Sequence, residues 1–136
     1  MSKTVLIIIL RFIGITGLFA FPAIFLPHAW MDAIHNYCGL GDLPTAPIVG
    51  YLARSLSAFY GVFSVMTLYI ASDVNKHRNL VAVWGAIFVL LGCLLLGIDA
   101  AEGMPTFWTL LEGPPSIVVG ILVIWLQRRL VVKSTE

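Results

Sequence analysis

The sequence predicts an all-α fold: an integral membrane four-helix bundle with a short interfacial helix in its first outer loop. Three observations carry that reading. The 136 residues are 60% hydrophobic and only 11% charged, whereas a soluble domain usually carries about 25% charged residues to cover its surface. The apolar residues gather into four continuous stretches rather than an alternating pattern. The basic residues lie almost wholly on one side of those stretches. With a mean hydropathy of +0.97, the surface must face something other than water, and lipid is the simplest answer.

A single domain, 1–136, is expected, with spans at approximately 4–26, 48–72, 80–99 and 114–130. About 20 residues cross a hydrocarbon core of roughly 30 Å at 1.5 Å per residue. Continuous apolar runs fit helices, because an open sheet leaves backbone groups unsatisfied in lipid. The first span begins like a signal peptide, with Lys3 before Val5–Leu10. Arg11 interrupts the run, which then resumes to Leu26 with no convincing small-residue cleavage site, so an uncleaved span is expected. In the fourth, Pro114 and Pro115 suit the first helical turn, with Arg128 and Arg129 as the interfacial end.

Charge placement sets the orientation. Lys3, Lys76, Arg78, Arg128, Arg129 and Lys133 fall on one side, and connections 27–47 and 100–114 contain no Lys or Arg. The positive-inside rule then puts both termini and the Asp73–Asn79 loop in the cytoplasm, and a bacterial inner membrane is the expected site. Within the first outer connection, Ala29–Tyr37 reads as an amphipathic helix with Trp30, Ala33, Ile34 and Tyr37 near one face, suited to the headgroup layer. Gly39 to Pro47 breaks it and turns the chain into the second span. The second outer connection, Glu102–Pro115, is also expected in the interface, through Phe107 and Trp108.

Small residues recur at packing intervals: Gly14 and Gly17; Ala53, Ser57, Gly61 and Ser64; Gly85, Gly92 and Gly97. They permit close helix approach in lipid. Cys38 and Cys93 form no CxxC pair and fall in different environments, so neither a disulfide nor a metal site is expected of them. Cys93 is read as a small buried apolar residue. A net charge of +1 argues against a nucleic-acid partner. Histidines confined to connections exclude a haem held at membrane depth. No phosphate loop, metal cluster or nucleophile triad is present, and no cofactor is expected.

Ionisable residues inside a span are costly and are functional candidates by default. Arg11 lies in the first span, where snorkelling or pairing with Asp73 or a helix C-terminus are the alternatives. Arg54 lies near the outer end of the second. Asp99 and Glu102, at i and i+3, share a face of the third. Glu112 precedes the Pro pair, where a helix dipole would favour a carboxylate. Arg54, Asp99, Glu102 and Glu112, with Tyr51, Trp108, Tyr60, His28 and His35 around them, therefore form a candidate polar cluster. One reading has Arg54 clamping Asp99 or Glu112 in a bidentate ion pair. The other is an outward pocket where a carboxylate handles a proton or a polar ligand group.

The runs from Arg11 to Pro27, RFIGITGLFAFPAIFLP, from Ala53 to Phe63, ARSLSAFYGVF, and GIDAAEGMP before WTLLEGPP resemble the DoxX-like superfamily of small four-helix bacterial membrane proteins, over nearly the whole chain. The name-giving members are associated with quinol oxidase complexes. A remoter similarity runs to four-helix proteins that bind or isomerise sterols through intramembrane acids. Those acids should lie deep in the bundle, whereas Asp99, Glu102 and Glu112 are near its rim, so neither activity carries over. The expected function is an accessory subunit or a bundle binding a lipid-like or quinone-like molecule. Its partners would be membrane lipid, such a small molecule, and a membrane protein or second copy. The alternative is a membrane enzyme or proton-coupled carrier using the Arg/carboxylate pocket.

Overall fold

Leu, Ile, Val and Phe runs in lipid have one way to satisfy their backbone, and the computed structural model, which describes residues 2–133, is all-helical. The elements are α1 (Ser2–Leu18), α2 (Ala20–Ala23), α3 (His28–Tyr37), α4 (Pro47–Ser72), α5 (Arg78–Glu102) and α6 (Thr106–Lys133). Four stretches are long and apolar enough to cross a membrane: Ser2–Ala23, Pro47–Ser72, Arg78–Glu102 and Thr106–Leu130. The shortest, at 22 residues, reaches about 33 Å. Large side chains such as Phe12, Phe19, Phe59, Leu90 and Leu111 lie exposed along these helices, as a lipid-facing surface requires.

The chain forms two units, Met1–Leu10 with Ile70–Glu136, and Arg11–Tyr69. In the first, segments of all four spans meet around Leu6, Leu10, Ile70, Ala71, Val74, Val81, Trp84, Val123 and Leu126, all buried. The tight connection after α4 is set by Asp73. Its Oδ1 accepts the backbone N–H groups of Asn75 and Lys76 at 3.1 Å each. The Lys76 N–H foremost, joined by that of Asn75 and opposed by desolvation, holds the Asp73 carboxyl below its ordinary range. The side chain of Lys133, one of the six basic residues used for orientation, lies outside the described residues.

Helices α5 and α6 approach through glycine in an antiparallel heptad register. A Cβ on Gly92 would stand 2.6 Å from the Gly113 carbonyl oxygen, and one on Gly120 would stand 2.6 Å from that of Gly85. Gly85 therefore meets Gly120 and Gly92 meets Gly113, seven residues apart on each helix, so the seam is kept over two turns. Gly97, off that seam, has nothing within 4 Å of a Cβ. In the second unit, Gly14 packs on Leu68, Gly17 on Ser64 and Gly61 on the Phe21 ring, so α1 and α2 lie along α4.

Three expectations are corrected. The fourth helix starts at Thr106, not near 114, and Pro114 and Pro115 lie inside it. Thr106–Leu111 is itself apolar enough to join the span. A proline pair within a helix removes two N–H donors, but its fixed φ is already helical, and Gly113 beside it relieves crowding. Glu112 is consequently in the second turn rather than at the terminus. The connection between α5 and α6 shrinks to residues 103–105, where Gly103 takes φ 67° and the Met104 N–H returns to the Asp99 carbonyl at 2.9 Å in a Schellman closure. Cys93 is exposed on the lipid-facing surface rather than buried.

The seam yields a paired expectation. Gly92→Val should destabilise the protein by about 1–3 kcal/mol through backbone overpacking, while Gly97→Ala should leave it unchanged or slightly more stable. Thermal unfolding in a single detergent checks both, and equal effects at the two positions would show that the seam does not limit stability.

Candidate functional site

The polar chemistry of the second unit begins with two prolines. Pro22 offers no N–H to the preceding turn, and Pro27 offers none to the end of the span. Between them the chain unwinds into i→i+3 turns, with Ile24 N–H donating to Phe21 O and Leu26 N–H to Ala23 O at 3.1 and 3.3 Å. The carbonyls of Ile24 and Leu26 are thus left facing away from their own helix. Arg54, half-buried on α4, meets both: Nε donates to Ile24 O and Nη2 to Leu26 O, each at 3.0 Å. Nη1 reaches the Gly50 carbonyl of its own helix at 3.4 Å. The planar fork of guanidinium suits two carbonyls side by side, and positive charge is favourable at a helix C-terminal end.

Past Pro27, α3 splits into two faces. His28, Asp32 and His35, at i, i+4 and i+7, hold the following loop. His28 Nε2 lies 3.3 Å from Pro44 O, and His35 Nδ1 lies 2.7 Å from Gly41 O. Asp32 Oδ1 accepts the Leu43 N–H at 2.7 Å and the Asn36 amide at 3.3 Å. Gly39 and Gly41 supply the positive φ values, 75° and 82°, that fold the loop back. Trp30, Ile34 and Tyr37 project from the other face, exposed. His28 and His35 are thereby engaged in local closure. The ties were invisible in the sequence because their acceptors are backbone atoms far along the chain.

In the first unit, the acids near the end of α5 and the start of α6 differ sharply. Glu102 is exposed. Glu112 is half-buried, and its Oε2 accepts the Trp108 indole N–H at 2.8 Å, one helical turn away. Ser116 donates to the Glu112 carbonyl at 2.8 Å. Asp99 is 4% exposed, and its Oδ2 is fully enclosed with no hydrogen-bond partner. Gly85, Gly92 and Asp99 stand seven residues apart on α5, so Asp99 continues the glycine seam at the register position opposite Thr106. A buried carboxyl oxygen without a donor is expensive, which singles Asp99 out among the residues of the expected cluster.

The expected cluster is thus resolved residue by residue. Trp108 and Glu112 are joined; Asp99 is enclosed; Glu102 and Tyr51 are exposed, Tyr51 at 65%; Arg54 is engaged by carbonyls of its own unit. Arg11 is exposed on α1, about 14 Å along the helix from Ser2. Among the described residues no group of three His, Cys, Asp or Glu side chains is arranged to hold a metal ion.

Because charged donors to buried carbonyls are worth about 1.5–3 kcal/mol, Arg54→Leu should lower stability by roughly that amount or more. Arg54→Lys, which offers a point charge without the fork, should recover only part. Unfolding measured in nanodiscs checks the order; equal stability of wild type and Arg54→Leu would remove the carbonyl staple from the account.

Compared with family models, curated proteins and solved structures, the chain matches none, so its site is read from its own chemistry.

Proposed function

We propose that this chain is a non-enzymatic membrane protein that binds a lipid-like or quinone-like molecule, alone or as an accessory subunit of a larger membrane assembly. The observation that carries the reading is Asp99 Oδ2, an enclosed acceptor with no donor, whereas Arg54 and Glu112 are bonded internally and Glu102 is exposed. An amphiphile with a hydroxyl or N–H head group would supply that donor. The approach is at the end of α5, where only residues 103–105 join it to α6 and exposed Glu102 marks the polar rim. Arg54 acts as a structural clamp on α2 in this reading.

The second reading, a proton-coupled carrier or membrane enzyme, uses the same carboxyl as a proton-exchanging group. The accessory-subunit form of the first reading is in line with the DoxX-like resemblance, whose name-giving members are associated with quinol oxidase complexes. Both readings place the chain in a bacterial inner membrane with its termini in the cytoplasm, supported by the one-sided distribution of Lys and Arg. In intact spheroplasts, a membrane-impermeant maleimide should then label Cys38 and spare Cys93, which lies within the span; no labelling of Cys38 until lysis would invert the orientation.

Asp99→Asn is the discriminating variant for function. Wild-type protein extracted into native nanodiscs should carry an enriched lipid or quinone that Asp99→Asn loses while retaining its helicity and melting temperature. Monomeric wild type with no enriched molecule and no partner would sink the binding reading. Proton flux in proteoliposomes that Asp99→Asn abolishes would instead establish the carrier.

A further inference from the structure

The cluster around Asp99 leaves one feature of α6 unused. Val118, Ile121, Leu122 and Trp125 line an open groove of about 420 Å³ whose walls are almost wholly apolar. That is within the roughly 300–1,000 Å³ of small-molecule sites. The positions fall at i, i+3, i+4 and i+7, so they form one stripe along the helix. Val118, Ile121 and Trp125 are exposed, and the stripe does not touch the glycine seam that joins α6 to α5.

The stripe ends on a charge. The Arg129 guanidinium carbon lies 3.8 Å from the centre of the Trp125 ring, stacked over its face. Stacking fixes the plane of an otherwise mobile side chain and leaves its edge N–H groups free to meet an anion. Arg128 stands next to it in sequence but has no such ring beneath it among the described residues. From Val118 to Arg129 the helix advances about 16 Å, roughly half of a 30 Å hydrocarbon core. An apolar groove one leaflet deep, closed at its polar end by a held guanidinium, has the dimensions and charge order of a phospholipid: acyl chain below, phosphate above.

We propose that this groove is a binding site for an anionic phospholipid in the leaflet around the C-terminal end of α6. Val118, Ile121, Leu122 and Trp125 receive an acyl chain, and Arg129 receives the headgroup phosphate. Trp125 does two jobs, walling the groove and orienting the arginine. The occupant is an anionic lipid rather than a neutral or zwitterionic one because, among the described residues of α6, the one carboxylate is Glu112, far along the helix from Arg129 and unable to pair with an added ammonium there. The site is separate from Asp99, which lies on α5 towards its other end.

The test is native mass spectrometry of the full chain in detergent, titrated with phosphatidylglycerol, with phosphatidylcholine of the same acyl chains, or with glycerol phosphate. Wild type should retain phosphatidylglycerol over phosphatidylcholine, and glycerol phosphate should not compete. Arg129→Gln should lower phosphatidylglycerol retention about fivefold, the factor that one interfacial cation contributes, and Arg128→Gln should lower it much less. Ile121→Trp, which fills the groove, should weaken both lipids, while Gly97→Ala, in open space on α5, should change neither. Equal retention of the two lipids by wild type overturns the proposal, as does an identical loss in Arg128→Gln and Arg129→Gln. Competition by glycerol phosphate would mean a site for free phosphate, and a dimer abolished by Ile121→Trp with no lipid adduct would mean an interface between copies. Either result also overturns it. All the substituted groove and headgroup positions are exposed, and circular dichroism of each variant verifies that folding is retained.

Discussion

In hydrocarbon, a backbone carbonyl without a donor costs several kcal/mol, and the architecture of this chain follows from where its prolines create such carbonyls. Pro27 has no N–H to continue the i→i+3 series onto Ile24 O, and the turn into α3, where the Trp30 N–H goes to Pro27 O, leaves Leu26 O outside the helix. Arg54, arriving from α4, bonds both. One side chain thereby fixes how the unwound end of α2 lies on α4 and where α3 emerges. The same guanidinium would be a liability if its donors were unmet, so arginine and prolines are tolerable together and costly apart. The ties of His28, Asp32 and His35 then fold the loop after α3 back upon it, and α4 can begin at Pro47.

The α5–α6 pair solves the same problem differently. Its backbone is satisfied within each helix, and the association rests on close approach. Gly85 and Gly92 face Gly120 and Gly113, so that dispersion contacts replace the hydrophobic drive that lipid cannot provide. The proline pair sits one residue beyond Gly113, where the small neighbour leaves room for the two rings. The polar side chains of the spans mostly follow a further rule: Ser57, Ser64, Thr67 and Ser116 each donate to the carbonyl four residues back, hiding their hydroxyls from lipid.

How far this could be read from the sequence depended on which physical quantity the letters encode. Hydropathy and length encode the bilayer, so the four long helices emerge nearly to the residue in α4. The spacing of Trp30, Ile34 and Tyr37 encodes an interface, so α3 is legible. Start signals borrowed from water-soluble helices misled at Pro114 and Pro115, because a proline at a helix start and a proline tolerated within a membrane helix look identical in sequence. Pro105, with the apolar Phe107 and Trp108 beyond it, was the better marker. Arg54 was legible as an anomaly, yet its partners were not. A charge suggests an opposite charge, whereas a carbonyl released by a proline has no letter of its own.

Asp99 stands out against this background of satisfied groups. Asp32 and Asp73 accept backbone N–H groups, and Glu112 accepts an indole N–H. Among the described residues, Asp99 Oδ2 is the enclosed side-chain oxygen without a partner. A packing role alone gives no reason for an aspartate there, since a leucine or another glycine would continue the heptad seam at lower cost. The carboxyl also sits on the last closed turn of α5, where the Met104 N–H pins its own carbonyl and limits any rearrangement that would let it reach water. A group that is costly, fixed and unpartnered earns its place only through something that joins it, so Asp99 rather than Arg54 is the residue on which a functional account should turn.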